Sequence, residues 1–269
     1  MLIPSKIIAI LTDFGISDIY VGVIKGVILN IAPDTNIIDI THEIQPQNIK
    51  QAAFLLKDSY TYFPEGTIFL AVVDPGVGSN RKPIAVRTEK YYFIGPDNGV
   101  LSFVLEEAKE IDAVKLNNPK YLLDKVCNTF HGRDIFAPAA AHLAAGVPFN
   151  DLGSSAASGS LNRFGFIKYY DIKDNLIAGE VVHIDRFGNI ISSIDKDFFD
   201  YYCKGNDVVT YINSNEIDGI MQTFSNAAQG DLLVYFGSGS HIEIAARNDN
   251  AARILGAKIG DRIYIKVVS

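Results

Sequence analysis

The 269-residue chain has a net charge of −7 at pH 7, is 48% hydrophobic and 20% charged, and contains no run of Lys and Arg. This length and composition allow one or two domains with a substantial core, and the acidic balance disfavours binding to a nucleic-acid backbone. The two cysteines, Cys127 and Cys203, do not form a CxxC zinc motif, and we expect free thiols in a reducing cytoplasm.

The N-terminal apolar run, 7–11, is followed almost at once by Asp13, without the cleavage-site pattern of a signal peptide. It therefore predicts a first strand. No apolar run approaches the ~20 residues that a membrane-spanning helix needs. We expect a cytoplasmic protein that does not engage a membrane.

The first half of the chain alternates between two patterns. Continuous apolar runs predict strands buried on both faces, and apolar residues at helical spacing predict helices between them. The predicted elements are, in chain order, strand 7–11, helix 20–31, strand 37–40, helix 48–60, strand 67–73, strands 84–87 and 91–94 joined by a turn, helix 100–109, strand 111–116 and helix 135–145. This alternation predicts an α/β domain with a largely parallel sheet.

The pattern changes after a segment rich in Gly, Ser and Ala, residues 153–159, and we interpret 153–172 as a linker. Six short β-type runs follow, at 176–184, 190–194, 208–212, 232–236, 242–246 and 262–268. Helical spacing is nearly absent there, except around 251–255. We therefore predict an α/β domain over 1–152 and a smaller all-β, barrel-like domain over 173–269.

Four carboxylates follow predicted strands of the first domain: Asp13, Asp39, Asp74 and Asp97. In a parallel sheet, ligands bind beyond the carboxyl ends of the strands. A single Asp at such a position is more often a turn former or a helix cap, but four together indicate an active site. After Asp74, a proline and two glycines turn the chain sharply and bring Arg81 back toward the carboxylate.

Other polar stretches have two interpretations. His131 lies just before a predicted helix, where a structural and a catalytic role are about equally supported, and Asp134 can be an N-cap with Arg133 as its partner. The loop 185–189 in the second domain is either an ordinary hairpin loop or the mouth of a ligand site. The same alternatives hold for 237–240 and 246–251.

Several familiar site motifs are absent from the sequence. There is no GxGxxG after the first strand, no GxxxxGK[ST] and no GxSxG, so dinucleotide, P-loop and nucleophile-elbow chemistry are not indicated. His131 with Asp13, Asp74 and Asp134 would make only a sparse and scattered set of metal ligands. We expect no metal site.

Seven motifs, read together, match a known family: TDFG at 12–15, DIYVG at 18–22, DITH at 39–42, FPEGT at 63–67, VDPGVG at 73–78, GPDNG at 95–99 and FHGRD at 130–134. On these motifs the chain resembles the S-adenosylmethionine hydroxide adenosyltransferases, relatives of the bacterial fluorinase and chlorinase. The resemblance implies an N-terminal α/β domain, a C-terminal β-barrel and a homotrimer. It places the ligand between the N-terminal domain of one subunit and the C-terminal domain of the next.

The resemblance also implies the reaction and the residues that perform it. Water or hydroxide attacks the ribose C5′ of S-adenosylmethionine, giving adenosine and L-methionine without a cofactor. The Asp–Arg–His triad of the hydrolytic branch maps onto Asp74, Arg81 and His131. The implied substrate contacts are Asp13 to the ribose hydroxyls, Tyr20 near the methionine carboxylate, Asp185 and Asn189 at the methionine or adenine end, Phe187 stacked on the adenine, and Ser238 or Ser240 with Arg247 in the segment that closes on the ligand.

Three alternatives remain at this stage. A halide adenosyltransferase would form 5′-chloro-5′-deoxyadenosine, but the charged and polar triad would hydrate a halide pocket. A protein that binds S-adenosylmethionine or a nucleoside without catalysis is less consistent with an intact triad. A metal-dependent hydrolase is the least favoured.

Overall fold

The computed structural model describes residues 2–223 and 227–268. The chain forms two compact units whose boundary lies between Phe164 and Gly165, inside the segment that we predicted as a linker. Elements of the first unit are β1 (Ile7–Thr12), α1 (Tyr20–Ile31), β2 (Asn36–Thr41), α2 (Ile49–Tyr60), β3 (Ile68–Val72), β4 (Pro83–Arg87), β5 (Tyr92–Pro96), α3 (Ser102–Glu107), β6 (Asp112–Leu116), α4 (Ala137–Ala144) and β7 (Gly153–Ala156). Among the described helices, none is long and apolar enough to cross a membrane.

The first unit is built on a seven-stranded sheet of order β2-β1-β3-β5-β4-β6-β7. Strands β2, β1, β3 and β5 are parallel, whereas β4, β6 and β7 join by antiparallel pairing. The predicted α/β domain with a largely parallel sheet is confirmed. Because Thr12 of β1 lies opposite Val72 of β3, the loops that leave these two strands begin side by side.

Helices cover both faces of this sheet, which is why its central strands are apolar throughout. Alternate side chains of β1 and β3, such as Ile10 and Leu70, pack with α1 and α4 on one face. Their chain neighbours Leu11, which follows Ile10, and Phe69, which precedes Leu70, pack with α2 and α3 on the other face. Successive side chains of a strand point to opposite faces, so a strand between two helical layers needs an unbroken apolar run.

The second unit is antiparallel and forms a nearly closed, barrel-like sheet, as predicted. Its elements are β8 (Tyr169–Asp171), β9 (Leu176–Ile184), β10 (Ile190–Asp195), α5 (Lys196–Cys203), β11 (Asp207–Ile212), β12 (Asn215–Asp218), β13 (Leu232–Phe236), β14 (His241–Ala246), α6 (Ala251–Leu255) and β15 (Arg262–Val268). The strand order is β12-β11-β15-β9-β10-β14-β13, with β8 paired to β9. Its core includes Ile177, Val234 and Ile263.

The structure differs from the sequence prediction in three places. Strands β7 and β8 occupy part of 153–172, and β7 pairs with β6 at the sheet edge. The Gly153 that suggested flexibility instead allows close strand approach, since a Cβ there would lie 1.8 Å from Lys115 O. Helix α5 was not predicted, because its aromatic run is typical of strands. Strand β12 was also missed; Asn213 and Ser214, both at positive φ, turn the chain into it.

Candidate active site

The loop after β3 is shaped so that the Asp74 and His131 segments meet. Asp74 follows Val73, which is fully buried and comes directly after β3. Gly78 has φ +78°, and a Cβ there would lie 2.5 Å from Asn128 O. Only glycine combines this backbone conformation with such close approach. The glycine predicted as a turn former therefore also brings the chain that carries His131 against the Asp74 loop.

Asp74, Arg81 and His131, the triad that the resemblance implied, form a connected group. Arg81 Nε donates to Asp74 Oδ1 at 2.9 Å and its Nη2 donates to Asp74 Oδ2, so the guanidinium holds the carboxylate at two points. The same Nη2 lies 2.7 Å from His131 Nδ1. The side chains of Arg81 and Asp74 are only 8% and 6% exposed. A buried, bidentate pair of this kind fixes both groups in orientation as well as distance.

The contact with Arg81 determines which nitrogen of His131 carries the proton. A guanidinium only donates hydrogen bonds, so His131 Nδ1 accepts and the neutral ring has its proton on Nε2. Burial and then the Arg81 charge hold the pKa of His131 below its ordinary value of 6.5, while the Asp74 and Asp134 carboxylates act in the opposite direction. The geometry and the charge together favour a neutral histidine whose Nε2–H is a donor.

Arg81 retains capacity for one more partner. Within the described residues, its Nη1 is buried and has no hydrogen-bond partner. The guanidinium carbon lies 5.2 Å from the centre of the Phe136 ring, which packs against the cation. An oxygen of water or of a ligand would satisfy the unpaired N–H groups.

His131 begins a helix that is less regular than predicted. The residues Gly132–Phe136 form a π-helical turn that runs into α4, and such turns occur frequently at functional sites. Asp134 is fully buried and accepts hydrogen bonds from Arg133 Nε at 2.6 Å and from the backbone N–H of Cys127 at 2.8 Å. The predicted pairing of Arg133 with Asp134 is confirmed, but Asp134 lies inside the turn and is not an N-cap.

A cavity of about 440 Å³ opens at this edge of the first sheet. It is lined by Asp13, Phe14, Tyr20, Pro46, Gln47, Val72, Asp74, Pro75, Val77, Thr129, Phe130 and His131. Three of the rings form one aromatic wall: the centre of Tyr20 lies 5.9 Å from that of Phe14 and 5.3 Å from that of Phe130. The cavity therefore combines an aromatic surface, which suits a cation, with two carboxylates and a histidine.

Only two of the four strand-exit carboxylates reach this cavity. Asp13 and Asp74 line it, because they follow the neighbouring strands β1 and β3. Asp39 lies within β2, not beyond it, and pairs with Lys25 at 2.6 Å. Asp97 is 4% exposed and accepts a hydrogen bond from the backbone N–H of Asn162 at 2.8 Å. The prediction that all four converge is wrong, since Asp39 pairs with Lys25 and Asp97 binds Asn162 instead.

The second unit has a cavity of its own, of about 1020 Å³. Its lining includes five residues predicted as substrate contacts: Asp185, Phe187, Asn189, Ser238 and Arg247. The ring of Phe187 is 78% exposed and so is available to stack on a flat ligand. Ser240 is not among the lining residues; it lies in a turn with φ +58°.

Asp185 and Asn189 also hold their own loop together, as the hairpin interpretation expected. Asp185 Oδ1 accepts from the backbone N–H groups of Phe187 and Asn189, both at 2.9 Å, and its Oδ2 accepts from the Asn189 side chain at 2.8 Å. A Cβ on Gly188 would lie 2.1 Å from Asn250 Cγ, so this loop packs directly against the loop that carries Asn250. The two interpretations of this loop are therefore compatible.

The sequence analysis did not find several lining residues. Gln47 follows a strand exit and stands just before the cap of α2, and that position could have indicated it. Tyr235 and Glu243, whose side chains are hydrogen-bonded to each other in the second cavity, carry no local signal because they lie within strands. Across 2–223 and 227–268, no group of three or more His, Cys, Asp and Glu residues is arranged to hold a metal ion.

Both halves of the chain match domain models of one known family. Residues 8–153 match the SAM hydroxide adenosyltransferase N-terminal domain, and residues 179–264 match the C-terminal domain of the same family. A Salinispora tropica protein named (R)-S-adenosyl-L-methionine hydrolase is 34% identical, over 97% of this chain and 98% of the relative. A protein from Actinoplanes sp. named fluorinase is 29% identical, over 90% of this chain and 91% of the relative.

A solved structure agrees with these sequence matches. The crystal structure of an uncharacterized conserved protein from Thermotoga maritima has a TM-score of 0.89 and 38% identity, and the match covers 96% of this chain and 99% of that one. The motifs that suggested the resemblance lie in the matched regions, and three of them supply Asp13, Asp74 and His131 to the cavity of the first unit. The chain belongs to the SAM hydroxide adenosyltransferase family.

Proposed function

We propose that this protein hydrolyses S-adenosyl-L-methionine to adenosine and L-methionine. The oxygen of a water molecule forms a bond to the ribose C5′, the C5′–S bond breaks, and methionine leaves with the electron pair. The sulfur of methionine becomes neutral because it keeps this electron pair, and the water gives up one proton, which carries the positive charge away. A sulfonium is already a good leaving group, so the reaction needs no cofactor and no acid at sulfur.

One observation carries this proposal: the buried Arg81–Asp74 pair and the neutral His131 meet at the edge of an aromatic-walled cavity. His131 Nε2–H is a donor that suits an oxygen on which negative charge develops, while Arg81 holds Asp74 and His131 in place. Asp74 accepts hydrogen bonds and is the group in the triad that can take the proton of water. In this proposal His131 stabilises the nucleophile, and Asp74, not His131, deprotonates it.

The aromatic wall has a complementary role. Tyr20, Phe14 and Phe130 present ring surfaces to the cavity, and a sulfonium is a cation that ring faces attract. Holding the sulfonium there would align the nucleophile with the C5′–S bond. Positioning of this kind can lower a barrier by about 7–11 kcal/mol.

The remaining substrate contacts follow from the family. We propose that Asp13 accepts hydrogen bonds from the two ribose hydroxyls, since one carboxylate can accept both. In the second unit, Phe187 would stack on the adenine, and the other proposed contacts are Asp185, Asn189, Ser238 and Arg247. We further propose a homotrimer in which the substrate contacts the first unit of one subunit and the second unit of its neighbour.

The stereochemistry at sulfur is part of the proposal. The relative from Salinispora tropica is named for the (R) epimer of the substrate. We propose that this chain also prefers (R)-S-adenosyl-L-methionine. Separate assays of the two sulfonium epimers would test the preference, and faster turnover of the (S) epimer would contradict it.

The direct test is to incubate the purified protein with S-adenosylmethionine, with and without chloride, and to separate the products by chromatography. We expect adenosine and methionine in equal amounts, with a rate that does not depend on chloride or on a chelator. Formation of 5′-chloro-5′-deoxyadenosine would identify a halide adenosyltransferase instead. Substrate that persists unchanged for hours would identify a binding protein, and loss of activity with a chelator would identify a metal-dependent enzyme.

A further inference from the structure

The Asp13 carboxylate is held by a second segment of the chain, His42–Gln47, which follows β2. The backbone N–H of Gln47 donates to Asp13 Oδ2 at 2.8 Å. The backbone N–H of Gly15 donates to His42 O at 2.8 Å, and Thr12 Oγ1 lies 2.8 Å from His42 Nδ1. Three hydrogen bonds therefore join the loop that carries Asp13 to this segment.

Gln47 adopts a backbone conformation that its residue type disfavours. Its φ is +69°, in the left-handed region, where the Cβ of a non-glycine residue crowds the following carbonyl. The next residue, Asn48, caps α2 by accepting from Gln51 N–H at 3.0 Å. Gln47 also lines the cavity beside Asp13. Disfavoured backbone conformations persist where the surrounding structure imposes them, and they concentrate at functional sites.

The base of this segment is anchored to the sheet. His42 is 5% exposed, and its Nε2 lies 3.1 Å from Asp39 Oδ1, although the approach falls outside hydrogen-bonding geometry. The other carboxylate oxygen of Asp39 holds Lys25 Nζ at 2.6 Å. Because the His42 ring is buried and its Nδ1 is hydrogen-bonded to Thr12, the chain that leaves it has a defined starting point. The segment can therefore transmit a position to Asp13.

We infer that the left-handed backbone of Gln47 is a positioning device for Asp13, and through it for the vicinal diol of a ribose. This inference rests on the proposed function. The Gln47 N–H uses one acceptor position of Oδ2, which restrains rotation of the carboxylate and leaves the other positions for ligand hydroxyls. Gln47 is thus a positioning residue whose backbone acts, and its side chain is not required for the effect.

Substitutions that separate backbone from side chain test this inference. Gln47→Gly keeps the N–H and accepts a positive φ, whereas the β-branched Gln47→Val opposes it. We expect Gln47→Val to raise the KM for S-adenosylmethionine about tenfold, the effect of one lost hydrogen bond to a charged group. We expect kcat to change far less, and Gln47→Gly to raise KM by much less than Gln47→Val does, because glycine keeps the backbone N–H in the conformation that reaches Asp13.

A matched control is available in the second unit. Lys204 is exposed, has φ +50° and ends α5, away from both cavities. Lys204→Val imposes the same backbone conflict, so we expect a comparable fall in Tm with an unchanged KM. If Lys204→Val raised KM as much as Gln47→Val, or if Gln47→Gly were as impaired as Gln47→Val, the inference would be wrong.

A double-mutant cycle distinguishes positioning from general destabilisation. In an Asp13→Ala background, Gln47→Val should have no further effect on KM, because the group that it positions is gone. The same fold-change in both backgrounds would refute the inference. Wild-type protein that releases no adenosine would instead refute the proposed function, and calorimetric titration with adenosine would then provide the affinity for the same comparison.

Discussion

The assignment of His131 as a hydrogen-bond donor leads to a prediction that separates it from a general base. His131→Gln keeps an N–H that can reach the nucleophile but has no basic nitrogen, whereas His131→Ala has neither. Removal of one preorganised donor to a charged oxygen lowers kcat by about 10²–10³-fold. Because His131 is half-buried and not enclosed, we expect His131→Ala to lose about 10²-fold and His131→Gln about tenfold.

The two variants are matched in stability as well. Both lose the 2.7 Å contact between Arg81 Nη2 and His131 Nδ1. A hydrogen bond that involves a charged group contributes about 1.5–3 kcal/mol, and each kcal/mol corresponds to roughly 2–4 °C in a domain of this size. We therefore expect both Tm values to fall by several degrees and to agree with each other, so that a difference in turnover reports chemistry.

The assay is release of adenosine under saturating S-adenosylmethionine, followed by chromatography, with Tm measured by circular dichroism. A general base contributes about 10²–10⁴-fold, and glutamine cannot replace it. If His131→Gln is no faster than His131→Ala, while both are folded, histidine acts as a base and the donor assignment is wrong. If both His131→Gln and His131→Ala keep most of the wild-type rate, His131 has no role in the chemical step.

Two further predictions follow from the same group. Arg81→Met leaves the buried Asp74 carboxylate unpaired, which costs about 3–5 kcal/mol, whereas Arg81→Lys keeps the charge but cannot hold Asp74 at two points and His131 at once. We expect both variants to lose at least about 10²-fold in turnover and Arg81→Met to show the larger fall in Tm. An Arg81→Lys enzyme with the wild-type rate would contradict the importance of the bidentate contact. The pKa of His131 is lower in the folded protein than its ordinary 6.5. The stability that the neutral ring contributes is therefore complete above about pH 6.5 and is lost as the pH falls from there toward the lower folded-state pKa. Urea unfolding should show this loss of stability in the wild type and a smaller loss in His131→Gln, and an equal pH dependence in the two proteins would show that other groups are responsible.

Local pattern was enough to determine most of the secondary structure. The apolar run of β1 and the helical spacing of α1 reflect which faces of these elements are buried. Burial on one or both faces sets how often apolar residues recur along the chain, and that repeat is visible in the sequence. The β4–β5 hairpin is equally local, because its strands are joined by a turn of four residues. Helix α5 was missed because its aromatic residues favour strands, although Asp195 caps it by accepting from Phe198 N–H at 2.8 Å.

The composition of the site depended on contacts that no local pattern contains. Sequence motifs supplied Asp13, Asp74 and His131, but the pairing of β1 with β3 brings the first two into one cavity, whereas Asp97 is engaged by Asn162. The tautomer of His131 follows from a guanidinium that is 50 residues away in sequence.

By itself, the sequence determined the fold class, the two-part organisation and the family, because burial periodicity and short motifs are properties of neighbouring residues. Only the tertiary structure decided which carboxylates act together, which nitrogen of His131 is a donor, and that Gln47 holds Asp13 through its backbone N–H. The physical reason is the same in each case. Hydrogen-bond direction and electrostatic coupling depend on distances of a few ångströms between groups that the chain order separates, and folding alone sets those distances.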